Sequence, residues 1–172
     1  MEPLLHFTIP FVALMLIGTE FKKALPISAL ALIPDLDALF HTHRSTSHSI
    51  VVPLLIIVPL LLFRRRTGNH SFLLFVLLAV ASHSILDLFT GYTPILWPLY
   101  GYSIWLQTGL AAHIGSSPGL SSSGQLLLEP TSFHAFQSLD APLATGEGLI
   151  VSMTLLTPLL LKGLRHRLDH SS

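Results

Sequence analysis

His83 and Asp87 stand four residues apart, a spacing that puts two side chains one turn apart on the same face of a helix. Two donors so placed can hold one divalent ion. Asp35 and Asp37 follow Pro34, which bends or ends a helix, and an Asp-x-Asp pair in such a break can aim both carboxylates at cations. His41, His43, Arg44 and His48 come next along the chain. Imidazole and carboxylate without sulfur suit zinc, manganese or iron, and the lack of cysteine excludes thiolate sites and disulfides. Such a donor set points to an open catalytic centre at which a divalent ion makes water nucleophilic near neutral pH. The competing reading is a buried polar network, in which the same side chains, with Arg44 as an available cation, clip helices together as ion pairs. His113 and His134 read as single intramembrane histidines hydrogen-bonded to a neighbouring helix, and His166 and His170 as solvated residues of a basic tail.

The elements that must position these groups are apolar. Of 172 residues, 51% are hydrophobic and only 10% charged, against roughly 25% charged in soluble domains. Mean hydropathy is +0.67. Nine basic residues balance nine acidic ones, which leaves no basic excess for nucleic acid. This composition argues against a soluble globular domain and predicts an all-α, polytopic helical membrane protein, one domain over residues 1–172. About five embedded helices are expected, over 3–19, 24–40, 50–63, 71–89 and 148–161, several of them short for a full span. No basic residue precedes the first run and no small-x-small site closes it, so it reads as a membrane segment, not a cleaved leader.

Placing the N-terminus outside and the C-terminus inside puts eight of the nine basic residues on the cytoplasmic side, with Arg44 outside. The same orientation brings the acidic and imidazole groups to the outer ends of their segments. Residues 91–147 then form an external connection. Its first part, GYTPILWPLYGYSIW, has the aromatic and proline content of a segment at the bilayer interface. Gly115 to Gly124 reads as a Ser/Gly linker, and Leu126 to Leu143 as a short surface helix. The expected setting is the cell membrane, multi-pass, with the lipid bilayer as a partner.

Three ordered blocks carry a resemblance. Pro34-Asp35-Leu36-Asp37, then His43-Arg44-x-x-Ser47-His48-Ser49, then Ser82-His83-x-x-x-Asp87-x-x-Thr90 with Trp97-Pro98 downstream, resemble the YdjM-like family. That family is described as LexA-regulated, membrane-bound, metal-dependent hydrolases. Two departures stand out: Ala38 occupies a position where many members have histidine, and Gly91-Tyr92-Thr93-Pro94 replaces the usual Pro-x-Gly loop. The resemblance implies a divalent ion, zinc first, held by Asp35, Asp37, His48, His83 and Asp87, with His6 and His43 as additions. Asp37, Arg44 and His83 are then the catalytic candidates, Arg44 gripping an anionic group through its planar fork. A more distant likeness to zinc-dependent phospholipase C and P1-type nucleases implies a phosphoester substrate, a lipid or a nucleotide. The rival class is a non-enzymatic metal-binding, structural or transport protein. A conducting path is poorly served by 50–63 and 71–81, which offer almost no polar groups, and a metalloprotease would need an absent HExxH.

Overall fold

The computed structural model describes residues 2–64, 71–115, 118–137 and 142–169. The chain opens with helix α1 (Pro3–Leu16), whose N-terminal proline costs no hydrogen bond in the first turn. Gly18, at φ +87°, closes it in a conformation that L side chains rarely adopt. Helix α2 (Phe21–Leu30) follows and runs through a turn into a 3-10 segment, Pro34–Phe40, where Pro34 prevents the α-helix from continuing. His41, also at positive φ, ends that segment, and a second 3-10 turn covers Thr46–His48. Helices α3 (Val51–Arg64) and α4 (Ser71–Asp87) come next. Two 12-residue strands, β1 (Tyr102–His113) and β2 (Gly119–Pro130), pair antiparallel from Tyr102 opposite Pro130 to His113 opposite Gly119. Helix α5 (Gly146–Asp169) closes the described chain.

The core joins Phe11, Val12 and Leu14 of α1 to Ala24 and Ile27 of α2, Ala31 just beyond it, and Ala79 of α4. Alanines at these crossings let the helix backbones approach closely, which brings the end of α4 beside the start of α1. Leu155, Leu156 and Leu159 of α5 pack on the outside of this cluster. Glu2 ties α5 in place: its carboxylate accepts the Thr145 amide and fills the space that a Cβ would need at Gly148. An acidic group at a helix N-terminus is favoured by the unpaired amides and the helix dipole there.

The expectation of an all-α protein with five membrane-crossing helices is corrected on two counts. The fold contains a two-stranded antiparallel sheet, and no helix among the described residues is long and apolar enough to cross a membrane. Three of the apolar runs, 3–19, 24–40 and 71–89, are longer than the helices they form. Helices α1 and α3 have 14 residues each and α4 has 17. At 1.5 Å per residue they extend about 21–26 Å, against roughly 30 Å of hydrocarbon. Helix α2 has only 10 residues, because Pro34 converts the second half of its run to 3-10 geometry. Helix α5 reaches 24 residues, but Glu147 and Lys162 bracket a shorter apolar stretch.

The Ser/Gly stretch read as a linker forms much of β2, and the surface helix expected over 126–143 begins as strand up to Pro130. The remainder of the expected cytoplasmic loop beyond Arg64, with His70, and His170 in the C-terminal tail lie outside the described residues, as does Asp140.

Candidate metal centre

Four segments deliver the polar groups to one place. Helix α1 carries His6, the 3-10 segment after Pro34 carries Asp35 and Asp37, the following turn carries His43 and His48, and α4 carries His83 with Asp87. His6, His48 and His83 are fully buried and Asp87 is 1% exposed. The His6 and His83 rings stack with centroids 3.7 Å apart, and His48 meets His83 nearly edge-on at 4.9 Å. Asp35, His43 and His48 can offer donor atoms within 4.8 Å of one another, and so can His6, His83 and Asp87.

The two groups are joined by four short separations. Nε2 of His48 lies 3.6 Å from Asp35 Oδ1 and 3.3 Å from Asp87 Oδ2. Nε2 of His83 lies 3.4 Å from Asp35 Oδ1 and 3.5 Å from Asp87 Oδ2. Four tetrahedral donors at 2.0–2.2 Å from a zinc ion would be about 3.3–3.6 Å from each other. The four nitrogen–oxygen separations fall within that range. Hydrogen bonding supports the same conclusion. Neither ring nitrogen of His83 has a hydrogen-bond partner, nor do Nε2 of His48 and Oδ2 of Asp35, although these atoms are buried. Leaving such atoms unsatisfied costs roughly 1–3 kcal/mol each, and a cation held among them could supply a partner to those that face it.

Asp37 stands one step back. It approaches His48 from the Nδ1 side, at 3.2 Å, whereas Asp35 and Asp87 approach Nε2. Its Oδ2 also accepts the Ser45 amide at 2.8 Å and lies 3.0 Å from the Ser47 hydroxyl. A carboxylate on the far nitrogen of a ligating histidine fixes the tautomer and aims the other nitrogen outward. His43 Nδ1 lies 3.6 Å from Asp37 Oδ1, at the partly exposed rim of the cluster.

Burial alone would lower the His48 pKa, but Asp35, Asp37 and Asp87 around it win and raise it to about 10. Burial would raise the two carboxylates of the 3-10 segment. The histidines beside them, His48 and His83 for Asp35, His43 and His48 for Asp37, instead hold both well below the usual carboxylate range. In the metal-free protein the charged His48 ring therefore adds stability that is complete below about pH 6.5 and lost as pH rises through about 10. A metal ion needs the neutral ring, so uptake should release protons, and affinity should rise with pH, about tenfold per unit for each proton released. Calorimetry in two buffers of different ionisation enthalpy measures this directly. Identical heats in both would contradict it.

Arg44 sits beside the cluster with both terminal nitrogens engaged, Nη1 donating to the Tyr92 carbonyl at 3.5 Å. Nη2 donates to Thr90 Oγ1 at 2.7 Å and lies 3.7 Å from Asp87 Oδ1. The guanidinium fills the space that a Cβ would take at Gly91, so glycine is required for this approach. Thr90 and Gly91 were not assigned roles from sequence. Thr90 falls three residues after Asp87, where a hydroxyl can reach back over the end of α4, and that spacing was the available signal. Ser45 and Ser47 received no role either, although Ser47 stands in the second block of the resemblance; Ser45 is marked only by its position between two candidate histidines. His41 stays out of the cluster: its ring meets Phe136 edge-on, and its carbonyl accepts the Phe136 amide at 2.9 Å. His113 is exposed and bonds Ser121 across the hairpin, and His134 is exposed.

A cavity of about 480 Å³ opens against Asp35 and His43. Glu2, Leu5, Glu147 and Val151 form part of its wall, so α1 and α5 together enclose the approach to the cluster. Its described lining has three carboxylates and no lysine or arginine, so an anion entering there needs positive charge from the cluster itself.

These observations define a helix-rich protein built around a histidine–aspartate cluster whose donor atoms could hold a metal ion. Residues 1–118 match the family model described as YdjM inner membrane protein, and the chain belongs to that family. The match includes every residue of the cluster and stops between the two strands of the hairpin. Membership brings membrane localisation with it. No curated protein matches the chain and no solved structure does, so the more distant likeness to phospholipase C and P1-type nucleases is not shown.

Proposed function

We propose that this protein is a membrane-bound, metal-dependent hydrolase of a phosphoester, with zinc as the resident ion. The observation that carries this reading is the set formed by the buried His48, His83 and Asp87 with the partly exposed Asp35, whose four nitrogen–oxygen separations of 3.3–3.6 Å suit a tetrahedral ion. His6 and His43 stand close enough to complete the coordination or to serve a second ion. When bound, the ion supplies positive charge that polarises a phosphoryl oxygen and lowers the pKa of water. The chain's own residues do the rest. Asp37 fixes the His48 ring. Arg44, anchored by Thr90, presents its remaining donors to a phosphate near Asp87. The cavity beside Asp35 accommodates the body of the substrate and limits water around it.

The test is a panel of phospholipids, nucleotides and generic phosphoesters given to the purified protein before and after chelation. Turnover should require the metal and return on adding zinc or manganese. Arg44→Ala should keep its metal and raise KM roughly 10–100-fold, since it removes a charged contact worth about 1.5–3 kcal/mol and no ligand. Absence of metal-dependent turnover across the panel would end the hydrolase reading. A second reading, a structural ion-pair network, is favoured by the raised pKa of His48, because an imidazolium there bridges three carboxylates without any ion. It predicts a purified protein free of metal.

A further inference from the structure

We propose that one face of the β1–β2 hairpin lies flat on the lipid bilayer. The register sorts the two strands into unlike faces. Ile104, Leu106 and Leu110 of β1 share one face with Leu120, Leu126 and Leu128 of β2, and no charged residue occurs on it. The opposite face carries Trp105, Leu127 and Glu129 near its base and Gln107, Gln125, Ser123, Ala111, Ser121 and His113 farther out. A water-exposed sheet turns its apolar face to the protein and its polar face to solvent. Here the covering at the base falls on the other face, and farther out both faces are exposed. At the base of the hairpin the protein covers the second face: Ser103 is buried against Thr131, and Trp105 packs edge-on against Tyr92 at 5.4 Å. The leucine face looks outward, with Leu110 and Leu120 each 77% exposed and Leu126 63% exposed.

Three features favour lipid as the occupant. The family is one of inner membrane proteins, and the described helices are not long and apolar enough to cross. A lipid surface is therefore at hand, and this face offers it apolar side chains from the Ile104–Leu128 pair to the Ala112–Leu120 pair, about 27 Å, interrupted by Thr108 opposite Gly124. Tyr100 and Tyr102, with rings 5.4 Å apart, stand at its base beside the exposed Leu99, the aromatic setting of a membrane–water boundary. The outer edge of β1 is paired at its base, where Ile104 and Thr93 exchange backbone hydrogen bonds and the Leu106 amide donates to the Leu88 carbonyl; farther out the edges have no strand partner among the described residues, and hydrocarbon does not tolerate unpaired backbone groups. The hairpin therefore rests at headgroup depth with its leucines down and its polar face in water. Having no charge on the contact face, it binds neutral and anionic lipid alike, with little effect of salt. This assignment builds on the membrane-bound half of the proposed function and is independent of its metal half.

The native chain has no cysteine, so single labels report cleanly. The full-length protein is reconstituted in phosphatidylcholine vesicles with a polarity-sensitive fluorophore at Leu110→Cys or Leu120→Cys on one face, and at Ala111→Cys or Ser121→Cys on the other. Labels at 110 and 120 should emit to the blue and be quenched by a spin-labelled lipid. Labels at 111 and 121 should be quenched by aqueous iodide and left untouched by the lipid quencher. Equal responses from both faces would overturn the assignment. So would excimer emission between pyrene labels at 110 on separate molecules, which would make the occupant a second copy of the chain. Metal content, measured on each variant, should stay at the parent level, so failure of the metal site and failure of lipid contact are read separately.

Discussion

Protein carrying His83→Ala should purify with almost no bound metal, while the wild type carries zinc or another divalent ion. His83 is fully buried, both of its ring nitrogens lack hydrogen-bond partners, and its Nε2 lies within 3.5 Å of two carboxylates. Removing the ring takes away a donor and leaves Asp35 and Asp87 facing each other with less positive charge between them. Losing even an outer-sphere partner costs roughly 10–100-fold in metal affinity, and losing a ligand should exceed that. Elemental analysis of the two proteins, purified without chelator and dialysed side by side, decides the matter. Equal metal content would remove His83 from the site.

The second large effect is expected at Asp37, and it separates an orienting role from a ligating one. Asp37→Asn keeps the shape of the side chain but replaces one carboxylate oxygen by an amide. Oδ2 now gathers the Ser45 amide, the Ser47 hydroxyl and Nδ1 of His48. An asparagine can accept from only some of these, and its NH2 favours the wrong tautomer of His48. Metal affinity should fall about 10–100-fold, with the ion still binding at high concentration. Competition titration with a fluorescent zinc chelator gives the ratio. A loss as complete as that of His83→Ala would mean that Asp37 binds the ion directly.

That distinction shows where sequence reading reached and where it stopped. His83 and Asp87 were legible because helical spacing alone places them together. Asp35 and Asp37 were legible as a pair because Pro34 announces a break, but spacing says nothing about which nitrogen of His48 each carboxylate meets. That depends on the 3-10 turns and on Ser45 and Ser47, which carry no signature of their own. The apolar runs marked all five helices near their observed positions. Their lengths were misjudged, because hydropathy is blind to Gly18 and counts residues beyond Pro34 as if the helix continued. The hairpin was missed for a different reason. Ser121, Ser122 and Ser123 beside glycine resemble a linker, and the strand they form is defined by its partner: the alternation becomes visible only once Leu110 is known to oppose Ser122 and Ala112 to oppose Leu120.

His6 and Asp87 meet at 3.2 Å although 81 positions separate them in the chain. An ion gripped by both ends of that span, and by Asp35 and His48 within it, would act as a removable cross-link. It would close a long loop whose ordering otherwise costs conformational entropy. It would also bind well only after α1, the 3-10 segment and α4 had docked, since no part of the chain alone carries the full donor set. Loading would then serve as a checkpoint on assembly: a misdocked first helix withholds His6, leaves the centre half built, and hands the chain to proteolysis before it can act on anything.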